Sequence, residues 1–250
     1  MRLIVLAAAL SSGLAHAHAV DARPDAYAVA AWAVLAAAAL GYGAAWRRGA
    51  ALRARNAAAF GGGWTALALA LLVTPDAPAP FALHMVQHEL MMLAAPPLLI
   101  LGRPFTALAS LAPRPLVRGA AIPLRVPPLA AWGCHAAALW VWHVPRLFDA
   151  AAASPHLHAL QHATFFASAL LFWWTVFRRL RRGTAVFYIL TTFMHTGALA
   201  ALLTFAPAAL YADTPLAEQQ LGGLIMWVPA GFVMLVAGLV AFDRLLVERP

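Results

Sequence analysis

The sequence predicts an all-α membrane protein, a bundle of seven transmembrane helices behind a cleavable signal peptide. Three observations predict it. Of 250 residues, 64% are apolar and only 10% are charged, against roughly half and a quarter in a soluble domain. The apolar residues fall in runs of about 20, the length that crosses a bilayer core. All 17 basic residues are arginine, and they gather in alternate breaks between those runs. The one cysteine, Cys134, rules out an intrachain disulfide framework, and the apolar excess rules out disorder. A net charge of +8 would suggest nucleic acid in a soluble chain. With no basic tail, no aromatic-interleaved basic stretch and no Gly-rich phosphate loop, membrane lipid is the expected surrounding and nucleic acid is not a partner.

The elements follow in chain order. Residues 1–19 read Met1-Arg2, an apolar run from Leu3 to Ala15, then Ala15-His16-Ala17-His18-Ala19. That pattern is a signal peptide, cut after Ala17 or Ala19, with the mature N-terminus outside the cytoplasm. Residues 20–250 read as one helical domain, its spans at about 26–46, 57–74, 82–102, 126–144, 158–177, 184–206 and 220–241. Pro96-Pro97 and Pro229 kink the third and seventh spans. Pro104, Pro113, Pro115 and Pro123 keep 103–125 from forming one continuous helix, and Leu108, Leu111 and Leu116 are expected at the inner interface. Trp140 and Trp142, and Trp173 and Trp174, read as interface belts.

Charge sets the orientation. Arg47, Arg48, Arg53 and Arg55 lie on one side, with Arg103, Arg114, Arg118 and Arg125, with Arg178, Arg179, Arg181 and Arg182, and with Arg244 and Arg249. The other side carries Arg23 and Arg146 beside Asp21, Asp25, Asp76, Asp149, Asp213 and Glu218. The arginine side is cytoplasmic by the positive-inside rule, and seven spans from an outside N-terminus end inside.

Ten histidines are the anomaly in so apolar a chain, because an ionisable or ligating group in a bilayer is costly. His16 and His18 leave with the signal peptide. The pattern H-x-x-Q-H then occurs twice, as His84-Met85-Val86-Gln87-His88 and His158-Ala159-Leu160-Gln161-His162, at the outer ends of two spans that run in the same direction. At i and i+4 the imidazoles share a helix face, about 6 Å apart along the axis. That suits two ligands to one metal, with Gln87 and Gln161 as hydrogen-bonding support. His143 sits at the same outer level and His156 in the adjoining loop.

His135 lies about two turns deeper and His195 near mid-membrane; either serves as an auxiliary ligand or as a polar contact between helices. Met85 is a soft auxiliary, although Met85, Met91 and Met92 at helical spacing also read as packing. Cys134 reads as a small buried residue. Glu89 must pair, be protonated or face a wet cavity, and its choices of hard ligand, proton relay and counter-charge stay open. Neutral imidazole with thioether suits copper; imidazole also serves zinc and haem iron. No catalytic triad, nucleophile elbow or Walker motif is present, and the His pairs lack the glutamate of a zinc protease. A binding protein is expected rather than an enzyme.

Four segments carry a family resemblance. Phe81 to Pro104 (FALHMVQHELMMLAAPPLLILGRP), Trp140 to Phe148 (WVWHVPRLF), His158 to Trp174 (HALQHATFFASALLFWW) and Leu216 to Pro229 (LAEQQLGGLIMWVP) resemble, in order, the signatures of the multi-span, caa(3)-type CtaG family of cytochrome c oxidase assembly factors. Glu218 stands where that family usually has aspartate, which keeps the carboxylate. The single-span copper chaperone that shares the CtaG name is a different protein.

The resemblance implies a multi-pass protein of the bacterial plasma (inner) membrane that helps assemble cytochrome c oxidase by helping copper reach it. Its motif histidines map to His84, His88, His143, His158 and His162, facing the periplasm. Oxidase subunits are the implied partners, and the reading leaves open whether a soluble periplasmic copper carrier takes part. The rival readings are a haem b-binding protein, a metal transporter through the bundle and a metal-free assembly scaffold.

Overall fold

The computed structural model describes residues 26–72, 80–111 and 126–247, and all regular secondary structure among them is helical. The expected signal peptide lies outside the described residues, as do 112–125 and, with them, Arg114, Arg118, Arg125 and Leu116. The helices are α1 (Ala26–Arg47), α2 (Ala54–Leu72), α3 (Phe81–Leu101), α4 (Pro104–Leu111), α5 (Pro128–Trp142), α6 (Pro145–Ala153), α7 (Pro155–Arg178), α8 (Arg182–Thr204) and α9 (Leu216–Val247).

Proline sets four of the starts. Pro104, Pro128, Pro145 and Pro155 open α4, α5, α6 and α7, where a missing N–H costs nothing because a first-turn N–H has no helical partner. Ser154 adds a cap to α7, its Oγ accepting from Leu157 N at 3.5 Å. Between α5 and α6 the chain turns at His143 (φ −93°, ψ 0°). The short α6 was not anticipated; its Phe148 and Ala151 are buried.

Three helical stretches among the described residues are long and apolar enough to cross a membrane: Val29–Arg47, Gly183–Thr204 and Leu216–Asp243. A fourth counts if Phe81–Leu101 and Pro104–Leu111, bent by 51° at their junction, form one broken span. The expectation of seven spans is therefore corrected to three or four by length and composition. The shortfall has physical causes. Helix α5 has 15 residues, cut short by its flanking prolines, where a span needs about 20. Helix α2 opens on Arg55 and Asn56 and carries Gly61, Gly62 and Gly63. Helix α7 is long enough at 24 residues, but His156, His158, Gln161, His162 and Arg178 make it polar.

Helix α3 is the hub, packed against α2, α7 and α9, and α8 pairs along α9. The expected kink at Pro96-Pro97 takes another form. The backbone widens into a π-helical turn over Leu90–Ala94 just before the prolines. With no N–H at Pro96 or Pro97, Met92 O loses both its α-helical and its π-helical donor. In an apolar interior that carbonyl needs a substitute, and Trp173 Nε1 donates to it at 3.0 Å. Trp173 is accordingly buried at 2% exposure, which corrects its reading as an interface-belt residue. The sharp bend comes later, at Gly102-Arg103, where Arg103 takes a left-handed φ of 55°. Cys134, expected to be buried, is exposed.

Two close approaches fix α9. A Cβ at Gly222 would lie 2.4 Å from the Phe81 ring on α3, and one at Gly223 would lie 2.5 Å from Thr204 Oγ1 on α8. Only glycine lets three helices meet there. Among the described residues, the arginine-bearing connections gather at one end of the bundle. There Arg179 Nη1 donates to Val126 O (2.7 Å), Asn56 Nδ2 to Leu101 O (2.9 Å), and Tyr42 OH to Gly102 O (2.8 Å).

Candidate metal centre

At the opposite end, α3 and α7 bring the two H-x-x-Q-H copies together. His84 and His88 have ring centroids 4.2 Å apart, and His158 and His162 are 4.0 Å apart. Across the helices, His88 lies 5.2 Å from His162, and His84 lies 5.2 Å from His158 and 5.7 Å from His162. One nitrogen from each of His84, His88 and His162 falls within 4.8 Å of the others. His143, at the C-terminus of α5, comes within 6.3 Å of the His88 ring.

The hydrogen-bond inventory decides what these rings can do. Nε2 of His84, both ring nitrogens of His88, Nε2 of His143 and Nε2 of His162 are buried without a hydrogen-bond partner. Buried imidazole nitrogens normally find partners, and leaving several unmade in one place is costly. A metal ion bound through one lone pair on each ring removes most of that cost, the second His88 nitrogen keeping its proton, so the donor set fits one. His143 has its tautomer fixed for the purpose. Its Nδ1–H donates to Leu139 O at 2.7 Å, which leaves Nε2 as the lone-pair nitrogen. His88, His143 and His162 are buried, whereas His84 and His158 are only partly so. The cluster is closed inward and open on the His84–His158 side.

The walls come from residues not singled out beforehand. Phe165 packs edge-on against His88 (4.7 Å), and Phe148 lies 5.6 Å from His84. Tyr211, in the connection between α8 and α9, stacks on Phe81 (5.1 Å) and donates its OH to His143 O at 3.0 Å. Burial and the nearby Asp149 carboxylate push the Tyr211 hydroxyl well above its usual pKa, so it remains a donor. Gln219, fully buried, holds that connection. Its Oε1 accepts from Leu210 N (2.6 Å) and its Nε2 donates to Leu203 O (3.2 Å). Glu218 Oε2 accepts from Ala82 N at 3.3 Å, satisfying a first-turn N–H of the helix that carries His84 and His88. These side chains lie mostly inside the resemblance segments, which was the available signal; Tyr211 had none.

Other candidates lie elsewhere. Gln87 donates to Ala70 O on α2 at 2.9 Å, so it anchors α3 to α2. Met85 is wholly buried, its Cγ against Gly222. His156 pairs with the Tyr27 hydroxyl. His135 stacks on Phe172 (5.0 Å), and His195 meets Trp132 edge-on (5.3 Å) and accepts from Trp140 Nε1 (3.4 Å).

The family model described as cytochrome c oxidase caa3 assembly factor (Caa3_CtaG) matches residues 26–247. The chain belongs to this family. Within this Caa3_CtaG chain the match takes in every helix described above and all five clustered histidines. No curated protein and no solved structure matches the chain. Association with cytochrome c oxidase during assembly is the role the Caa3_CtaG family carries.

Proposed function

We propose that the chain takes a copper ion into the His84–His88–His162 centre and passes it to cytochrome c oxidase during assembly. Copper is cargo in this reading, not a resident cofactor. The observation that carries it is the trio of imidazoles whose ligand nitrogens lie within 4.8 Å of one another, with Nε2 of each left unpartnered in a buried site. His158 and His143 complete the ring of donors, one at the open side and one at the closed side. Neutral imidazoles bind copper well, and a centre open on one side suits release as well as capture. The centre faces outward, toward the periplasm of a bacterial plasma membrane, because the arginines gather at the other end and positive loops stay inside.

Two rivals fit less well. A b-type haem needs a porphyrin-wide slot between its axial ligands, and Phe148 and Phe165 crowd the flanks where it would lie. A metal-free scaffold would give the unpaired nitrogens no purpose.

The test is made in cells. A strain lacking this gene product would be complemented with the wild-type chain or with the His88→Ala/His162→Ala variant, and copper and activity would be measured in the purified oxidase. The expected result is full restoration by the wild type and a copper-poor oxidase with the variant, at equal amounts of membrane-inserted protein. An oxidase fully metallated by the variant would contradict copper delivery and leave the scaffold.

A further inference from the structure

One turn inward from the histidine cluster lies a small cavity of about 20 Å³, room for a single water or ion. Glu89, Met92, His135, Thr196, Met226 and Met234 are among the residues that line it. It adjoins the cluster directly. Glu89 follows His88 in α3, and Leu139, whose carbonyl holds His143, also lines the cavity. We propose that this cavity is a second site, built for one copper(I) ion, with Met92, His135, Glu89 and one of Met226 and Met234 as its donors, since those two methionines lie about 12 Å apart along α9.

Four observations carry the assignment. Three of the chain's seven methionines line one small cavity, from two different helices, each no more than 5% exposed. Thioether sulfur is a soft ligand that selects copper(I) over harder divalent ions. Next, Glu89 Oε2 is buried with no hydrogen-bond partner, and a lone carboxyl oxygen in an apolar wall needs a counter-charge or a proton. One carboxylate with neutral thioethers and imidazole balances a single positive charge; a divalent ion would leave one charge uncompensated in a low-dielectric interior.

The tautomer of His135 is also set. Ser168 Oγ donates to Phe165 O (3.1 Å) and so receives His135 Nδ1–H (3.4 Å), which leaves Nε2 with its lone pair. Finally, the π-helical turn begins immediately after Glu89 and includes Met92, and such turns are frequent at functional sites. The site stands on this geometry and does not require the histidine cluster to bind copper.

The test is a titration of detergent-purified full chain with copper(I), held reduced by ascorbate, and in parallel with silver(I). Bound equivalents and the X-ray absorption of the bound ion are the readouts. The His88→Ala/His162→Ala variant is expected to keep one equivalent, with sulfur in its coordination shell. The Met226→Leu/Met234→Leu variant, which conserves side-chain volume, is expected to lose that equivalent and its sulfur scattering. Glu89→Gln keeps the shape and removes the charge; it is expected to weaken silver(I) binding about 10–100-fold without lowering the melting temperature of the metal-free protein. The inner site is overturned if the His88→Ala/His162→Ala variant binds no ion, or if the two methionine substitutions and Glu89→Gln leave equivalents, sulfur scattering and affinity unchanged. Loss of metal in the methionine variant alone, with none in the histidine variant, would instead remove the outer centre and keep the inner one.

Discussion

The two copies of H-x-x-Q-H have the same spacing, begin at the same level and face each other, yet their glutamines live differently. In α3, Gln87 is tied to Ala70 O of the neighbouring helix. In α7, Gln161 is equally buried, and neither its Oε1 nor its Nε2 has a partner. The α3 copy is also braced from outside the motif, by Glu218 at Ala82 N and by the Phe81–Gly222 contact with α9. The α7 copy begins on its own Ser154 cap and carries Phe165 as the wall behind His88. One pattern thus performs two jobs. The α3 copy is fixed in place by its neighbours, and the α7 copy closes on it with polar groups still unspent. Spacing alone defines the donors; the surroundings decide which copy is anchored.

The largest effect expected is from removing the brace on α3. A Gly222→Val side chain would drive into Phe81 and Met85, and overpacking of this kind costs about 1–3 kcal/mol. Thermal unfolding in detergent should show the loss, accompanied by weaker copper binding. Gly61→Ala on α2, where an added Cβ meets nothing within 4 Å, should raise the melting temperature, since alanine favours a helix over glycine by about 1 kcal/mol.

The glutamines should respond with opposite signs. Gln87→Leu breaks a buried hydrogen bond and leaves Ala70 O unpaired, for a loss of about 1–3 kcal/mol. Gln161→Leu removes a buried amide without partners and should be neutral or stabilising in the metal-free protein. Equal losses in both would mean that the copies are equivalent after all. The smallest loss comes from Tyr211→Phe, which removes one hydrogen bond to His143 O and should cost about 1 kcal/mol. Copper titration should show His143 weakened as a donor and the α3–α7 trio intact.

Helices were legible because composition and run length dictate them, and each expected run contains a helix among the described residues, although 102, 126–127, 143–144 and 205–206 fall outside the helices. Their number as spans was not legible. Run length does not register that Pro128 and the His143–Pro145 corner leave α5 only 15 residues, or that the histidines of α7 make it polar. The short α6 hid between two runs, although Pro145 and the 147–148–151 apolar spacing mark it. Trp173 looked like a belt residue because its partner, the Met92 carbonyl freed by two prolines, lies 81 positions away. The histidine pairs could be read from spacing within one helix. Their juxtaposition depends on the packing of α7 against α3, including Trp173 Nε1 on Met92 O, and nothing local reveals which helix will pack there.

The most direct measurement is elemental analysis with a visible spectrum on detergent-purified, copper-loaded protein, beside a His84→Ala/His88→Ala/His162→Ala variant that remains folded. Copper that falls by one equivalent per chain in the variant, with no Soret band in either sample, is the predicted result. Copper content unchanged by the three substitutions, or a Soret band in the wild type, would contradict a copper centre at these histidines.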